Sequence, residues 1–581
     1  MAALLSISLV LIPWLGALIV WRTGDSRPKA QNALAVAFSV AAGLASLGLI
    51  PFASSEIVFS LPMGALFGEL TFVADGLAVA LAAIACVIGS LAVIFSVDYM
   101  RGAAQLGRYY SFVLLFIGAM TGLVLSSNLL FLFFFWEITA LCSYALISFY
   151  NDDPKAVAGG MKALIITQIG GVGLLLGALA TFGTLGSYQL SALIERGSEI
   201  SPSLFAVMGF GFLLAAAAKS AQFPFHTWLP DAMEAPSPIS ALIHAATMVN
   251  AGVYLLARFY PAFESIPGWT FAVMLVGLVS ALITAFMALT AMDLKRALAY
   301  STVSQLGYMI YAIGAGGIFA SQFHLLSHAV FKALLFLAAG AVIHGVGTRD
   351  MRKMGGLGKE MPFVRNVFIL GALALAGLPI LNGFWSKELI LEEGLKHTPI
   401  WAYAGMLVGA GMTAFYTLRM TWMVFFGEMR SHLHVHDAGK AMKVSLGILA
   451  AGTLTTWLLV DGFSHMLEHT LPAHNIHALT LLALVEEIFL APATYLALAV
   501  IAIGLVIGWL NKKQATVSPH PIVEAISRES FGFDWLNGQI SSVTLRFASL
   551  LQKTQTGQMN WNLLGILVAL ALVLGILLWS A

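Results

Sequence analysis

Long apolar runs constrain the fold of this chain more than any other feature of its sequence. A helix needs about 20 apolar residues to cross a hydrocarbon core about 30 Å thick, and about 16 runs approach this length. The runs cover residues 2–21, 34–51, 76–97, 110–126, 129–149, 161–182, 204–225, 238–258, 270–291, 296–315, 320–343, 363–395, 399–426, 442–460, 490–510 and 561–580. Because unpaired backbone groups are costly in lipid, such segments span as helices. The sequence predicts an all-α polytopic membrane protein.

Composition supports this class and argues against several others. Hydrophobic residues make up 59% of the 581 residues and charged residues 10%, against roughly 25% charged in soluble domains. The net charge of +1 gives no basis for binding nucleic acid. Cys86 and Cys142 both lie in apolar runs, which favours core residues over ligands of a metal or cluster. We expect no cofactor, no metal and no redox centre in this chain.

The runs divide the chain into six segments. We assign N-terminal helices with a small hairpin to 1–100, a first repeat to 101–260, a second repeat to 261–430, C-terminal helices to 431–511, a lateral segment to 512–560 and a last spanning helix to 561–581. The hairpin is predicted between Glu56 and Asp75. Each five-helix repeat contains a proline break, at Pro224 and at Pro379, where the run 363–395 is long enough for two half-helices. Paired breaks of this kind are typical of inverted repeats.

Loop charge and a polar segment near the C-terminus indicate how the chain sits in its membrane. Most Lys and Arg residues follow odd-numbered helices, so the positive-inside rule places those loops in the cytoplasm and both termini outside a cell inner (plasma) membrane. Residues 512–560 are too polar to span, yet apolar residues recur there at helical spacing: Leu536, Ile540, Val543, Phe547 and Leu550. This pattern predicts an amphipathic helix along the membrane plane, interrupted at Gly532 and Gly538.

The stretch Ala215–Met248 carries the first sign of ion chemistry. Lys219 lies in a hydrophobic helix, Pro224 interrupts that helix, and His244 follows in a second apolar helix. An ionisable side chain costs roughly 2.5–3.5 kcal/mol at the centre of a spanning helix, so it rarely lies there without a role. The proline frees carbonyls that need a protein-lined or hydrated interior. Together these residues indicate a hydrated ion path.

Glu137 lies in the apolar run 129–149 with no other charge nearby. One interpretation is a glutamate at a helix end. The other is a buried carboxylate that pairs with Lys219, so that the separation of the pair controls a proton.

His324, His328 and Lys332 are spaced four residues apart and therefore share one helical face. Such a stripe suits stepwise proton transfer. The alternatives are structural hydrogen bonding and a metal site, although Leu325 stands where a zinc-protease motif needs Glu and no third ligand is near.

Lys387 and Glu388 follow Pro379, either as an exposed surface pair or as the exit of the path. Seven further histidines are interpreted as loop or surface residues: His432, His434, His436, His465, His469, His474 and His477.

Several long motifs resemble those of the antiporter-like membrane subunits, a family with the A and D subunits of Mrp Na+/H+ antiporters and the L, M and N subunits of complex I. They are KSAQFPFHTWLPDAMEAPSPISALIHAATM, DLKRALAYSTVSQLGYM, FHLLSHAVFKALLF, TRDMRKMGGL and NGFWSKE. The resemblance implies a Glu137–Lys219 pair, His244 on the eighth helix, a relay of His324, His328 and Lys332, and Lys387 on a broken twelfth helix. It also implies a lateral helix before a last spanning helix.

The resemblance leaves two identities open. Gly170-Gly171, Glu388 and the motifs AMEAP and TRDMRKMGGL look more like the A-type member of the Mrp antiporters, although that member is usually longer. The alternative is the L-type member of complex I or of a related hydrogenase or carbon-uptake complex. Both imply a proton-translocating protein whose partners are other membrane subunits, the lipid bilayer, H+ and, for Mrp, Na+. A catalytic redox protein and an inactive scaffold are the rival classes.

Overall fold

The structure, a computed structural model, describes residues 1–430, 435–512, 530–554 and 568. The chain forms two compact units, Met1–Ser518 and Pro519–Ala581. Within the described ranges, 12 helices are long and apolar enough to cross a membrane, which confirms the all-α polytopic class. The number 16 is not established: three predicted runs, 296–315, 363–395 and 399–426, are not among these 12 helices, and the run 561–580 lies outside the described residues except for Val568. His432 and His434 also lie outside the described residues.

Every apolar run predicted between residues 2 and 510 contains a helix. The first group of elements is α1 (Ala2–Thr23), α2 (Pro28–Leu49), β1 (Ile57–Pro62), β2 (Glu69–Val73), α3 (Gly76–Tyr99), α4 (Leu106–Leu125), α5 (Leu129–Ile147), α6 (Pro154–Leu185) and α7 (Leu190–Arg196). The second is α8 (Pro202–Lys219), α9 (Trp228–Asp231), α10 (Ser237–Ala241), α11 (Met248–Phe263), α12 (Trp269–Thr290), α13 (Leu294–Gly314) and α14 (Ile318–Val346). The third is α15 (Pro362–Ala376), α16 (Asn382–His397), α17 (Ile400–Phe425), α18 (Lys440–Thr455), α19 (Val460–Thr470), α20 (Leu481–Leu490) and α21 (Pro492–Leu510).

The predicted hairpin is confirmed. Strands β1 and β2 pair antiparallel, with Ile57 opposite Val73 and Pro62 opposite Glu69. Asp75 then ends the hairpin and caps α3 by accepting a hydrogen bond from the backbone N–H of Ala78 at 3.0 Å. An aspartate at this position satisfies one of the free N–H groups of the first helical turn.

Both predicted helix breaks are present, and each falls in the fourth spanning segment of its five-helix group. Helix α8 ends at Lys219, and Ala221 then adopts a left-handed φ of 52°. The second break separates α15 from α16, where Gly377 and Ile380 have φ values of 86° and 80°. A break leaves the last carbonyls of a helix without their usual N–H donors, so it creates polar backbone inside the protein. The repeat relationship itself stays a prediction.

A π-helical turn over Leu242–Ala246 joins α10 to α11 and carries His244. Single π turns frequently occur at functional positions because they redirect side chains. This irregularity was not predicted.

Ion pairs tie the segment after the first break to its neighbours. Asp231 accepts from Lys162 of α6 at 2.7 Å and from Arg296 of α13 at 2.8 Å. Arg349 bonds Glu234 at 2.9 Å and Asp293 at 3.1 Å. The broken region of the first group is thereby anchored to both groups.

The second unit contains α22 (Phe533–Thr554). Phe531 and Gly532 have left-handed φ values of 58° and 86° just before it, as expected for an interruption at Gly532. The expected interruption at Gly538 is wrong, because the helix continues through that residue. The predicted apolar face is exposed, with Ile540 at 57% and Phe547 at 62% of full exposure.

Candidate ion-translocation site

Seven of the eight predicted site residues are buried inside the helical unit. Lys219, His244, His324, His328 and Lys332 are 0% exposed, and Lys387 and Glu388 are 1% exposed. This burial excludes an exposed surface pair at Lys387 and Glu388. Glu137 is partly buried in the middle of α5, so it is not a helix-end residue. Groups that can carry charge are kept in such places only where polar partners surround them.

Lys219 and Glu137 lie around Trp136 but have separate hydrogen-bond partners. The Lys219 Nζ donates to the carbonyl of Trp136 at 2.7 Å and lies 4.7 Å from the centroid of its ring. The Glu137 carboxylate accepts a hydrogen bond from Gln168 of α6, and its Oε1 has no hydrogen-bond partner in the described part of the chain. The two groups interact electrostatically without a direct salt bridge, so their pairing stays a prediction.

His244 lies between the first break and helix α14. Its ring centroid lies 4.6 Å from that of Phe336 on α14. Among the residues that the structure describes, neither of its nitrogens has a hydrogen-bond partner. A fully buried imidazole with two free nitrogens fits a site that water completes, because buried polar atoms are nearly always bonded.

The stripe on α14 is hydrogen-bonded to two neighbouring helices, α13 and α16. His324 is 2.9 Å from the Oγ of Ser386 and 3.1 Å from the Oε1 of Gln305. The rings of His324 and His328 are 6.3 Å apart, centroid to centroid. Lys332 donates to the Ser301 Oγ and to the carbonyl of Leu298 at 3.3 Å. The stripe is therefore linked to α13 and, through Ser386, to the helix that carries Lys387.

Lys387 occupies the second break. Its Nζ donates to the carbonyl of Leu375 at 3.0 Å and lies 5.7 Å from the ring centroid of Tyr308. Leu375 belongs to the last turn of α15, and the residue four positions further on is Pro379, which has no N–H to donate to its carbonyl. The break thus supplies the acceptor that the lysine uses.

Four polar side chains of the site were not predicted: Gln168, Ser301, Gln305 and Ser386. Each is an uncharged polar residue inside a helix, and Ser301 and Gln305 are four residues apart on one face of α13. That four-residue spacing could have identified Ser301 and Gln305 as site residues from the sequence. Their partners lie on other helices, so the sequence could not show which charged group each one serves.

The outer histidines need one correction. His474 is only 8% exposed, not a surface residue, because α11 and the cap of α3 enclose it. His465, Glu468 and His469 bring ligand atoms within 4.8 Å of one another on α19, where both histidines are exposed. These three could hold a metal ion, but they lie apart from the buried residues.

Two family models match the chain. The model described as NADH:quinone oxidoreductase/Mrp antiporter, TM, matches residues 126–413, which include all eight predicted site residues. The model described as NADH-Ubiquinone oxidoreductase (complex I), chain 5 N-terminus, matches residues 61–110.

Curated relatives are oxidoreductase subunits. NAD(P)H-quinone oxidoreductase chain 5 of Synechocystis sp. is 44% identical over 379 residues, which are 63% of this chain and 56% of that protein. The chloroplastic subunit 5 of Nephroselmis olivacea is 40% identical over 456 residues, 75% of this chain and 69% of that protein. The chain thus spans little more than half the length of the Synechocystis relative. These names favour the L-type alternative over the A-type member of Mrp.

Solved structures share the fold. A chain of the Mrp complex from Dietzia sp. DQ12-45-1b superposes with a TM-score of 0.85 at 29% identity, over 99% of this chain and 63% of that one. A chain of the archaeal membrane-bound sulfane sulfur reductase superposes with a TM-score of 0.72 at 24% identity, over 81% of this chain and 97% of that one. On these matches, the chain belongs to the family of antiporter-like membrane subunits that NADH:quinone oxidoreductases and Mrp antiporters share.

Proposed function

We propose that this protein is the chain 5 (L-type) subunit of an NAD(P)H-quinone oxidoreductase-like complex and carries protons across the membrane. The proposed path comprises Glu137, Lys219, His244, His324, His328, Lys332, Lys387 and Glu388. One observation supports it above the others: the hydrogen bond between His324 and Ser386 joins the central stripe to the helix of Lys387.

The chemistry of these residues suits proton transfer. Neutral imidazole accepts a proton on one nitrogen and releases one from the other, so His324 and His328 can pass protons without holding charge for long. Residues four apart advance about 6 Å along a helix, a distance that one water molecule bridges. Each lysine bonds a backbone carbonyl rather than a carboxylate, which leaves its ammonium group free to lose a proton to water when nearby charges change.

The protein would act within a larger assembly. Other membrane subunits would supply the driving force, since the path contains no redox group. The six-segment organisation, the inverted repeats and the placement of both termini outside the inner membrane belong to this proposal. The A-type member of an Mrp antiporter is the second candidate, supported by the superposition on the Dietzia Mrp complex. It would exchange Na+ for H+.

Proton flux in vesicles that contain the purified complex tests the proposal. We expect Lys219→Ala and Glu137→Ala to abolish flux while the complex still assembles. Lys219→Arg should also fail, because arginine effectively does not release its proton. Lys155→Ala is the matched control, since Lys155 is exposed on α6. Wild-type flux in the buried-site variants would favour an inactive scaffold. Flux that requires Na+ would favour the A-type member of Mrp.

A further inference from the structure

A cavity with both polar and apolar walls lies on the side of the membrane where the β1–β2 hairpin is found. Its volume is about 220 Å³, and its walls come from the hairpin, the α4–α5 connection, α7, the end of α11 and the segment after α19. Ser126, Ser127 and Gln189 contribute polar groups. None of the eight predicted site residues lines it.

An ion pair forms part of the wall of this cavity. The Arg258 Nη2 donates to the Asp75 Oδ1 at 2.8 Å, and the Nη1 bonds the other carboxylate oxygen. The side chains are 7% and 5% exposed. The Arg258 Nε also donates to the hydroxyl of Tyr254 at 3.2 Å, one turn closer to the membrane centre.

His474 presents an unused acceptor in the same cavity. Its Nε2 lies 3.0 Å from the carbonyl of Ala257, and a carbonyl only accepts, so the Nε2 carries the proton. Burial, and secondarily the charge of Arg258, lower the pKa of His474 to about 4, so the ring is neutral near pH 7. Its Nδ1 has no protein partner in the described ranges.

A buried polar stripe on α11 connects this cavity to His244. Asn250, Tyr254 and Arg258 are spaced four residues apart within α11, which places them on one face, and Thr247 lies just before the first residue of this helix. Thr247, Asn250 and Tyr254 are 0% exposed. From Met248 to Arg258 the helix advances about 15 Å at 1.5 Å per residue. That length is about half of a hydrocarbon core about 30 Å thick.

Hydrogen bonds to the π turn account for only some of the buried polar atoms in this stripe. Thr247 and Asn250 donate to the carbonyls of Leu242 and Ala245, at 2.8 and 2.7 Å, and so satisfy that turn. The Oδ1 of Asn250 and both nitrogens of His244 have no protein partner among the described residues. Buried polar atoms in this situation are normally bonded by internal water.

We propose that a file of bound water runs along this face of α11 from His244 to the hairpin-side cavity, with the Arg258–Asp75 pair as its outer closure. The file is a second hydrated branch of the path, separate from the route through Lys387. It rests on the proposed function only in assigning His244 to proton transfer. Asp75 neutralises Arg258, so the closure presents no net charge to a proton that leaves along the water.

Hydroxyl-radical footprinting of the intact complex tests for the water itself, because radicals formed in bound water modify the side chains beside it. Tyr254 and His474 should be modified at least about fivefold faster than Tyr109, a rate difference that bound water next to only the first two residues would produce. Tyr109 is a matched control, buried at 1% exposure with its hydroxyl 2.7 Å from Ser96. Equal, slow modification of all three residues would mean that the stripe is dry and would overturn the proposal.

A flux measurement then tests whether the file conducts. Asn250→Leu should slow proton flux by about threefold or more and suppress the modification of Tyr254. Thr453→Val, in a buried threonine of α18 bonded to its own helix, should do neither. Lys219→Ala separates the two proposals. If Lys219→Ala abolishes flux and Asn250→Leu leaves flux and Tyr254 modification at wild-type levels, the branch is wrong and the proposed function stands.

Discussion

The two broken helices place their lysines on opposite sides of the break. Lys219 is the last residue of α8, before the break, and the nearest predicted carboxylate, Glu137, comes from α5. Lys387 lies in α16, after the break, and Glu388 is its neighbour in sequence. Packing between helices therefore sets the distance between the first two charged groups, whereas the second two belong to adjacent residues of one helix, whose side chains leave it in different directions.

The backbone carbonyls that accept hydrogen bonds from Lys219 and Lys387 also differ. Leu375 lies in the last turn of α15, where the break has removed its helical donor. Trp136 lies within α5, and its carbonyl also accepts from the hydroxyl of Thr139 at 2.7 Å. The Leu375 carbonyl therefore accepts from Lys387 in place of a helical N–H, while the Trp136 carbonyl accepts from both Lys219 and Thr139. The comparison indicates that the first lysine is the more easily displaced of the two.

Neutralising each glutamate gives the largest expected difference between the halves. Glu137→Gln should lower proton flux at least about tenfold, and Glu388→Gln about threefold. The loss at Glu388 should be smaller because Lys387 keeps its hydrogen bond to the Leu375 carbonyl when its neighbour loses charge. Flux in vesicles with equal amounts of assembled complex checks this. Equal losses of flux would show that transport does not depend on whether the glutamate lies on another helix or on the helix of its lysine.

Removing the supporting polar side chains gives a smaller effect and sharpens the comparison. Gln168→Leu deprives the Glu137 carboxylate of its hydrogen bond, and Ser386→Ala deprives His324 of one partner. Each should slow flux by about two- to fivefold. Ser445→Ala is the control, since this buried serine bonds Leu91 outside the path. If only Ser386→Ala has an effect, the second half limits transport.

Glycine packing around the broken helices gives the smallest expected difference, one of stability rather than flux. A Cβ on Gly173 of α6 would meet backbone atoms of Gly211 on α8, at 2.9 Å from its carbonyl carbon and closer to the oxygen. A Cβ on Gly371 of α15 would meet the side chain of Leu335 at 3.0 Å, which can rotate away.

Gly173→Ala should therefore destabilise the protein by about 1–3 kcal/mol and Gly371→Ala by less. Thermal unfolding of the solubilised complex measures both. A larger loss at Gly371 would mean that the second broken helix is the more rigidly packed.

The features that the sequence predicted are local ones. The length of an apolar run identifies a helix wherever it packs, and Pro379 marks a break because it lacks an N–H. The resemblance also located Lys387 on a broken helix. The unpredicted features depend on distant segments. Lys219 meets Trp136 across 83 residues of chain, and His474 is enclosed by a helix 217 residues away. Gly538 misled the prediction because a single glycine does not end a helix.

The backbone acceptors of Lys219 and Lys387 have an evolutionary consequence. A carbonyl oxygen is present whatever side chain the residue carries, so positions 136 and 375 can change during divergence while the lysine keeps its ligand. An alignment of relatives would then record variation at the very residues that bind the moving charge. Substitution of side chains cannot remove such a ligand either. An ester in place of the amide that contains the Leu375 carbonyl would weaken this ligand, because an ester carbonyl is a weaker hydrogen-bond acceptor.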